Sequence, residues 1–388
     1  MSSGLQRRRV AGGGDNTLTA SNSRPDPSNP NSFTGRSSPA IPSHSTEGIN
    51  SIEQTSDHRI AFDPRDMEEG EERLKFPKLT LMEEVLLLGL KDKQVISRKL
   101  SRFNDKGYLS FWNDNISYTL RGCILLELAF RSRISMQKDS SRRRFDLADR
   151  LIEVIDDRLT GEALLDEALK MIKSSEKMSV GSWIDLMSGS TQLPTTLTVV
   201  GETWNIMKIG YQLKQVRERL AKGLVDKGIL RTEKRNFLLF DMATHPVADP
   251  ASKDEIRKRV ISILTARTPV LTANAFLPED TPFRVIRSLS MVCAAYAANV
   301  LENALSGLGH DSREQAFQKV DSMLGDYSNF PFRPGGEGIG AMIRDEVENN
   351  RDKELQLEIV AAVLQGTTQY FCFTLLMTTV FTRLDSIL

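Results

Sequence analysis

The chain has 388 residues, and its 51 lysines and arginines equal its 51 aspartates and glutamates, for a formal charge of zero. A neutral chain has no global field to draw it to nucleic acid or to an anionic membrane, so any anion site must be a local patch. Three cysteines (Cys123, Cys293, Cys372) and four histidines (His44, His58, His245, His310) show no metal-ligand spacing, and the cysteines sit in apolar runs, as buried thiols of a reducing compartment do.

Residues 1–72 are rich in Ser, Asn, Pro, Gly and Asp and nearly devoid of large apolar side chains. Such a segment cannot bury enough surface to offset its ordering entropy and is expected to be a disordered arm. Within it lies Leu5-Gln6-Arg7-Arg8-Arg9-Val10. Three adjacent arginines on a flexible arm are either a solvated charge run or a ligand for an acidic groove. No apolar signal core accompanies them.

A helical domain is expected over 73–388. Thr80-Leu81-Met82-Glu83 has the spacing of a capping box, and an apolar helix, LMEEVLLLGL, follows. Next comes GYLSFWNDNISYTLRG at 107–122, which sets Phe111-Trp112 before a polar knot that caps a helix start. Leu120, Ile124, Leu125 and Leu128 then recur at helical steps, with Arg121 projecting early from that helix. A tryptophan beside an arginine suits a membrane interface, and a half-buried structural tryptophan fits the same spacing.

Arg142-Arg143-Arg144-Phe145 precedes DLADRLIEVIDD, which reads as an amphipathic helix ending at Asp156-Asp157. Thr160-Gly161 starts another, with Leu164, Leu165, Ala168, Leu169 and Ile172 as its inner face. Residues 179–187 read as a short helix carrying Trp183. Over 211–227, Leu213, Val216, Leu220 and Leu224 form an apolar stripe, and Lys214 and Arg217 are three apart on one flank, free or paired with Glu218 or Asp226. Gly228 stops that helix. Residues 229–231 and 237–240 then read as two strands around a charged turn, Glu233-Lys234-Arg235-Asn236.

Thr281-Pro282 is expected to launch one long central helix, ending at Gly307 and Gly309. After a Pro/Gly-rich loop at 331–340, LQLEIVAAVL is expected to form a C-terminal helix. The longest apolar stretch near the end, 370–381, is about a dozen residues, where a bilayer span needs roughly twenty. The fold class is therefore mainly α, a single helical domain with a small β-hairpin, in a cytosolic or peripheral protein.

Several blocks carry a resemblance: SFWND followed by YTLRGC, RRFDLADRLIEVID, WIDLMSG, ETWN, YQLKQVRERLAKGLVDKGILRTEKRNFLLFDMATHP and LQLEIVAAV. Together they resemble the Golgi phosphoprotein 3 family of phosphatidylinositol 4-phosphate effectors, from about Phe76 to the C-terminus, and the fungal members most. The resemblance implies a peripheral Golgi adaptor that binds this lipid, grips cytoplasmic tails of glycosyltransferases and links them to coatomer for Golgi retention and retrograde vesicle transport. It implies that Trp112, Arg121, Lys214 and Arg217 hold the lipid headgroup, and that Arg7, Arg8 and Arg9 engage coatomer. Phe237, Leu238, Leu239 and Phe240 would mediate self-association into a homo-oligomer.

Three segments interrupt the resemblance: 95–105, 190–200 and 366–379. Each divides an otherwise continuous motif, as a translated intron would. A genuine insertion at 366–379 is expected to break the C-terminal helix.

No phosphate-binding glycine loop, nucleophile elbow or His/Cys metal grouping is present, so the sequence points to a non-enzyme without cofactor or metal. A helix followed by a hairpin with a basic turn is also the outline of a winged-helix nucleic-acid reader, but such a domain is normally basic and this chain is neutral. A plain helical scaffold is the third reading.

Overall fold

In a computed structural model of the chain, residues 76–90, 114–189, 209–237, 240–335 and 337–385 are described, all within one compact unit, Ala61–Leu388. The sequence readings at 1–72, 95–105 and 190–200 lie outside them.

The first helix, α1 (Leu81–Gly89), starts as its spacing requires: the Thr80 side chain accepts from the Glu83 amide, and the Glu83 carboxylate accepts from the Thr80 amide at 2.9 Å. All nine residues of α1 are buried, including Glu83 and Glu84. Buried carboxylates need partners. Lys227 bridges Glu83 and Glu162 at 2.7 and 2.8 Å, and Arg259 meets Glu84 at 2.5 Å.

Helix α2 (Asp114–Phe130) runs through the core. Its Glu127, fully buried, accepts from the Leu81 amide at 3.1 Å and pairs with Arg287 and Arg131, each at 2.9 Å. Burial alone would raise the Glu127 pKa, yet the two guanidinium charges bring it down to about 2. Further along α2, Gly122 lets the helix approach α11 (Glu354–Asp385): an added Cβ would lie 3.0 Å from both Thr367 Cγ2 and Val363 Cγ1.

Two antiparallel ribbons accompany the helices. Strand β1 (Ile134–Met136) pairs with β2 (Ile152–Val154) in the register Ile134↔Val154 and Met136↔Ile152. The DLADRLIEVIDD stretch is thus one short 3-10 turn and a strand, not an amphipathic helix. Ile152 and Val154 are β-branched and find an edge to pair with, which overrides helical spacing. Asp156 and Asp157 end no helix; they pair with Arg133 and Arg158, and with Lys173.

Helix α3 (Ala163–Ser174) buries the expected five residues, and α4 (Val180–Ser188) starts at the Ser179 cap with Trp183 fully buried. Helix α5 is shorter than expected, Val216–Asp226, and its end matches: Lys227 is the C-cap and Gly228 follows at φ +75°.

The second ribbon is shifted from the sequence reading. Strand β3 (Glu233–Phe237) pairs with β4 (Phe240–Thr244), with Glu233 opposite Thr244 and Phe237 opposite Phe240. The charged run lies in strand β3, and the ribbon closes at the Phe237–Phe240 pair. Pairing with β4, and not apolar character, makes the charged run a strand.

Helices α6 (Pro250–Thr265), α7 (Arg284–Ala297), α8 (Leu301–Leu305), α9 (His310–Tyr327) and α10 (Ile339–Asn349) complete the core. The expected long helix is two, α7 and α8, because Asn299 takes φ +57° between them. The N-cap of α7 is Phe283, not Thr281. Helix α11 runs on through 366–379 without a break, contrary to expectation. No helix among the described residues is long and apolar enough to cross a membrane.

Candidate anion-binding site

Arg121 lies about two turns into α2 and is buried, 6% exposed. It does not project freely. Its Nη1 donates to the Ser117 carbonyl at 2.8 Å and the Ser117 hydroxyl at 2.6 Å, its Nε to the Met187 carbonyl at 3.2 Å, and its Nη2 to the Leu213 carbonyl at 2.8 Å. All these acceptors are neutral. No carboxylate forms an ion pair with Arg121 among the described residues, so a buried cation lacks a counter-ion. Burial is the main cause that lowers its pKa, to about 10; the nearby Arg217 charge adds to the shift and Glu218 partly offsets it.

That guanidinium organises the turn before α5. The Met187 carbonyl accepts from both Arg121 and the Leu213 amide, the latter at 3.1 Å. Leu213 therefore donates to the end of α4 and accepts from α2, which fixes the next residue, Lys214. Gly189, at φ +68°, closes α4 where any Cβ would collide with Gln212. Lys214 is exposed in the turn, and Gln215 takes the left-handed conformation (φ 52°, ψ 38°) before Val216 begins α5.

Lys214 and Arg217 are thus not neighbours on one helical flank: Lys214 precedes the helix and Arg217 is in its first turn. The two still share the mouth of α5. Neither forms an ion pair with Glu218 or Asp226; the pairs on this face belong to Arg219 with Glu167 and to Lys227. Gln215 makes no side-chain cap bond, so the N-terminal amides of α5 add their partial positive charge to the cations. Arg121, Lys214, Arg217 and an uncapped helix start form a locally positive corner in a neutral chain. An oxyanion is what such a corner can hold.

Trp112 lies outside the described residues, as do Arg7, Arg8, Arg9, Leu238 and Leu239. Phe237 and Phe240 are paired in register at the tip of the second ribbon. Sequence reasoning gave Ser117, Met187 and Gln215 no part in the site and placed Leu213 only on an apolar stripe. Three of these act through backbone groups, which leave no side-chain signature. No group of three or more His, Cys, Asp or Glu able to hold a metal occurs among the described residues.

The family model described as Golgi phosphoprotein 3 (GPP34) matches residues 81–349. Vacuolar protein sorting-associated protein 74 of Schizosaccharomyces pombe is 51% identical over 394 aligned positions, covering 100% of each chain. The protein of the same name from Eremothecium gossypii is 46% identical over 320, covering 81% of this chain and 89% of its own.

Proposed function

Since this chain belongs to the Golgi phosphoprotein 3 family, a family of Golgi adaptors, we propose that it is a peripheral protein of the cytosolic Golgi face that binds phosphatidylinositol 4-phosphate. The observation that carries this reading is Arg121, a buried guanidinium with no carboxylate partner among the described residues, beside two cations at the start of α5 that form no ion pair among them. A phosphomonoester carries between one and two negative charges near neutral pH. Lys214 and Arg217 reach it directly, each contributing about 1 kcal/mol near an anionic leaflet. Arg121 holds the turn and supplies charge from below. Trp112 supplies an indole for the headgroup layer.

Affinity of this size is weak for one chain. Self-association through Phe237, Leu238, Leu239 and Phe240 multiplies it by raising effective concentration. The arm carrying Arg7, Arg8 and Arg9 binds coatomer, and the folded part grips glycosyltransferase tails. Lipid, tail and coat together retain enzymes in the Golgi and load retrograde vesicles, with a cytosolic pool whenever the lipid is scarce. The role is binding, without catalysis or cofactor.

Flotation of the full chain with liposomes that each carry one phosphoinositide tests the reading. Selective flotation with the 4-phosphate supports it. Equal flotation with all phosphoinositides removes the lipid specificity, and a salt-dependent DNA shift in its place supports a nucleic-acid reader built on α5 and the ribbon.

A further inference from the structure

Away from that corner, one edge keeps large apolar side chains in solvent. Phe145 is 57% exposed and Leu159 74%, with Leu151 and Ile155 exposed between them. The strand explains the alternation: Ile152 and Val154 turn inward from β2, so Leu151 and Ile155 face out. Phe145 belongs to the same edge, because its carbonyl accepts from Arg150 Nε at 3.2 Å.

The segment carrying Phe145 is firmly held. Arg142 and Arg150 converge on Glu358 of α11, each at 2.9 Å, and the Glu358 side chain is buried. A loop pinned from beneath by two ion pairs nevertheless presents its phenylalanine outward. Around it the charges divide. On the strand side, cations are matched: Lys177 with Glu153, Arg158 with Asp156. At the Phe145 end, Lys138 and Arg144 are exposed with no ion pair among the described residues, and Arg143 reaches Glu354 only at 3.6 Å.

We propose that the Phe145 edge is a second membrane contact, in which Phe145 enters the headgroup layer of an anionic bilayer while Arg143 and Arg144 meet lipid phosphates. A protruding Phe145 with the exposed Arg143 and Arg144 on its N-terminal side, Asp139 and Asp146 notwithstanding, fits an anionic lipid surface. A peptide would need a recess, and these side chains stand out from the surface. Helix α4 links the two contacts: its Val180 amide bonds the Arg150 carbonyl at one end, and its Met187 carbonyl bonds Arg121 at the other. Nine helical residues span about 13 Å, a separation that one membrane covers.

The test uses the full chain and vesicles of phosphatidylcholine with phosphatidylserine, free of any phosphoinositide, so that failure of the lipid-specific site does not enter. The variant Phe145→Ser, Arg143→Gln, Arg144→Gln is expected to partition roughly a hundredfold less than the parent, and the same drop is expected when these substitutions are introduced into Lys214→Ala with Arg217→Ala, because the two contacts are independent. In Phe145→Trp, brominated acyl chains are expected to quench emission beyond that of the parent. Equal partitioning of parent and triple variant, or no added quenching, overturns the proposal. So does a change in molecular mass by light scattering with partitioning intact, which assigns the edge to a second copy of the chain.

Discussion

The Arg121 guanidinium donates to the Leu213 carbonyl at 2.8 Å across 92 residues of sequence. This bond joins the core helix α2 to the turn that presents Lys214, so the buried cation and the exposed one form a single device. Arg121→Lys keeps the charge but cannot reach the four acceptors, on three residues, that the planar fork reaches. Leaving buried carbonyls unsatisfied costs about 1–3 kcal/mol. The expected outcome is lower thermal stability together with faster amide exchange at Leu213 and Lys214. Unchanged exchange there would show that the turn holds itself.

Lys214 and Arg217 form no ion pair among the described residues, so their removal is expected to leave folding intact. Lys214→Ala with Arg217→Ala should change unfolding free energy by no more than about 0.5 kcal/mol. Chemical denaturation measures this. A large loss would assign both residues a structural role.

Glu127 sets an acid limit. Its folded-state pKa, about 2, lies below the ordinary 4.5, so its stabilisation is complete above about 4.5 and disappears as pH falls toward 2. The shift corresponds to on the order of 3 kcal/mol. Two buried carboxyls work the other way: burial raises the pKa of Glu83 and of Glu346, and those groups favour folding as pH falls toward 4.5. The destabilisation by Glu127→Gln, measured by denaturant at about pH 5 and again at about pH 3, should therefore shrink on acidification. At neutral pH, Arg287→Met should cost about 3–5 kcal/mol, because it leaves Glu127 buried beside one cation only.

Gly122 is the close approach between α2 and α11. Gly122→Leu would drive a side chain into Val363 and Thr367 and should cost about 3 kcal/mol or more, read as a fall in thermal midpoint. Full stability of that variant would mean the two helices separate without loss.

Sequence patterning located what repeats and what caps. Thr80, Ser179 and Gly228 mark helix ends by local chemistry, and the inner face of α3 follows from spacing alone. The misreadings arise where distant partners decide. The helical spacing around Ile152 yields to pairing with Ile134–Met136, and the charged run at 233–236 becomes a strand because β4 lies beside it. Positive φ at Gln215, Phe283 and Asn299 moves helix boundaries at residues that carry no glycine signal. Lys214 and Arg217 were legible as candidates by chemistry and resemblance. The burial of Arg121 was not, because helical spacing gives its position along α2 and not what covers it.

We propose that Arg121, Lys214 and Arg217 converge on one phosphorylated headgroup. Titration of the full chain with liposomes containing phosphatidylinositol 4-phosphate, compared between the parent and Lys214→Ala with Arg217→Ala, tests it most directly. Binding is expected to fall roughly thirtyfold while circular dichroism stays unchanged, each cation contributing about 1 kcal/mol. Equal affinity of a folded double variant for the same liposomes would contradict it.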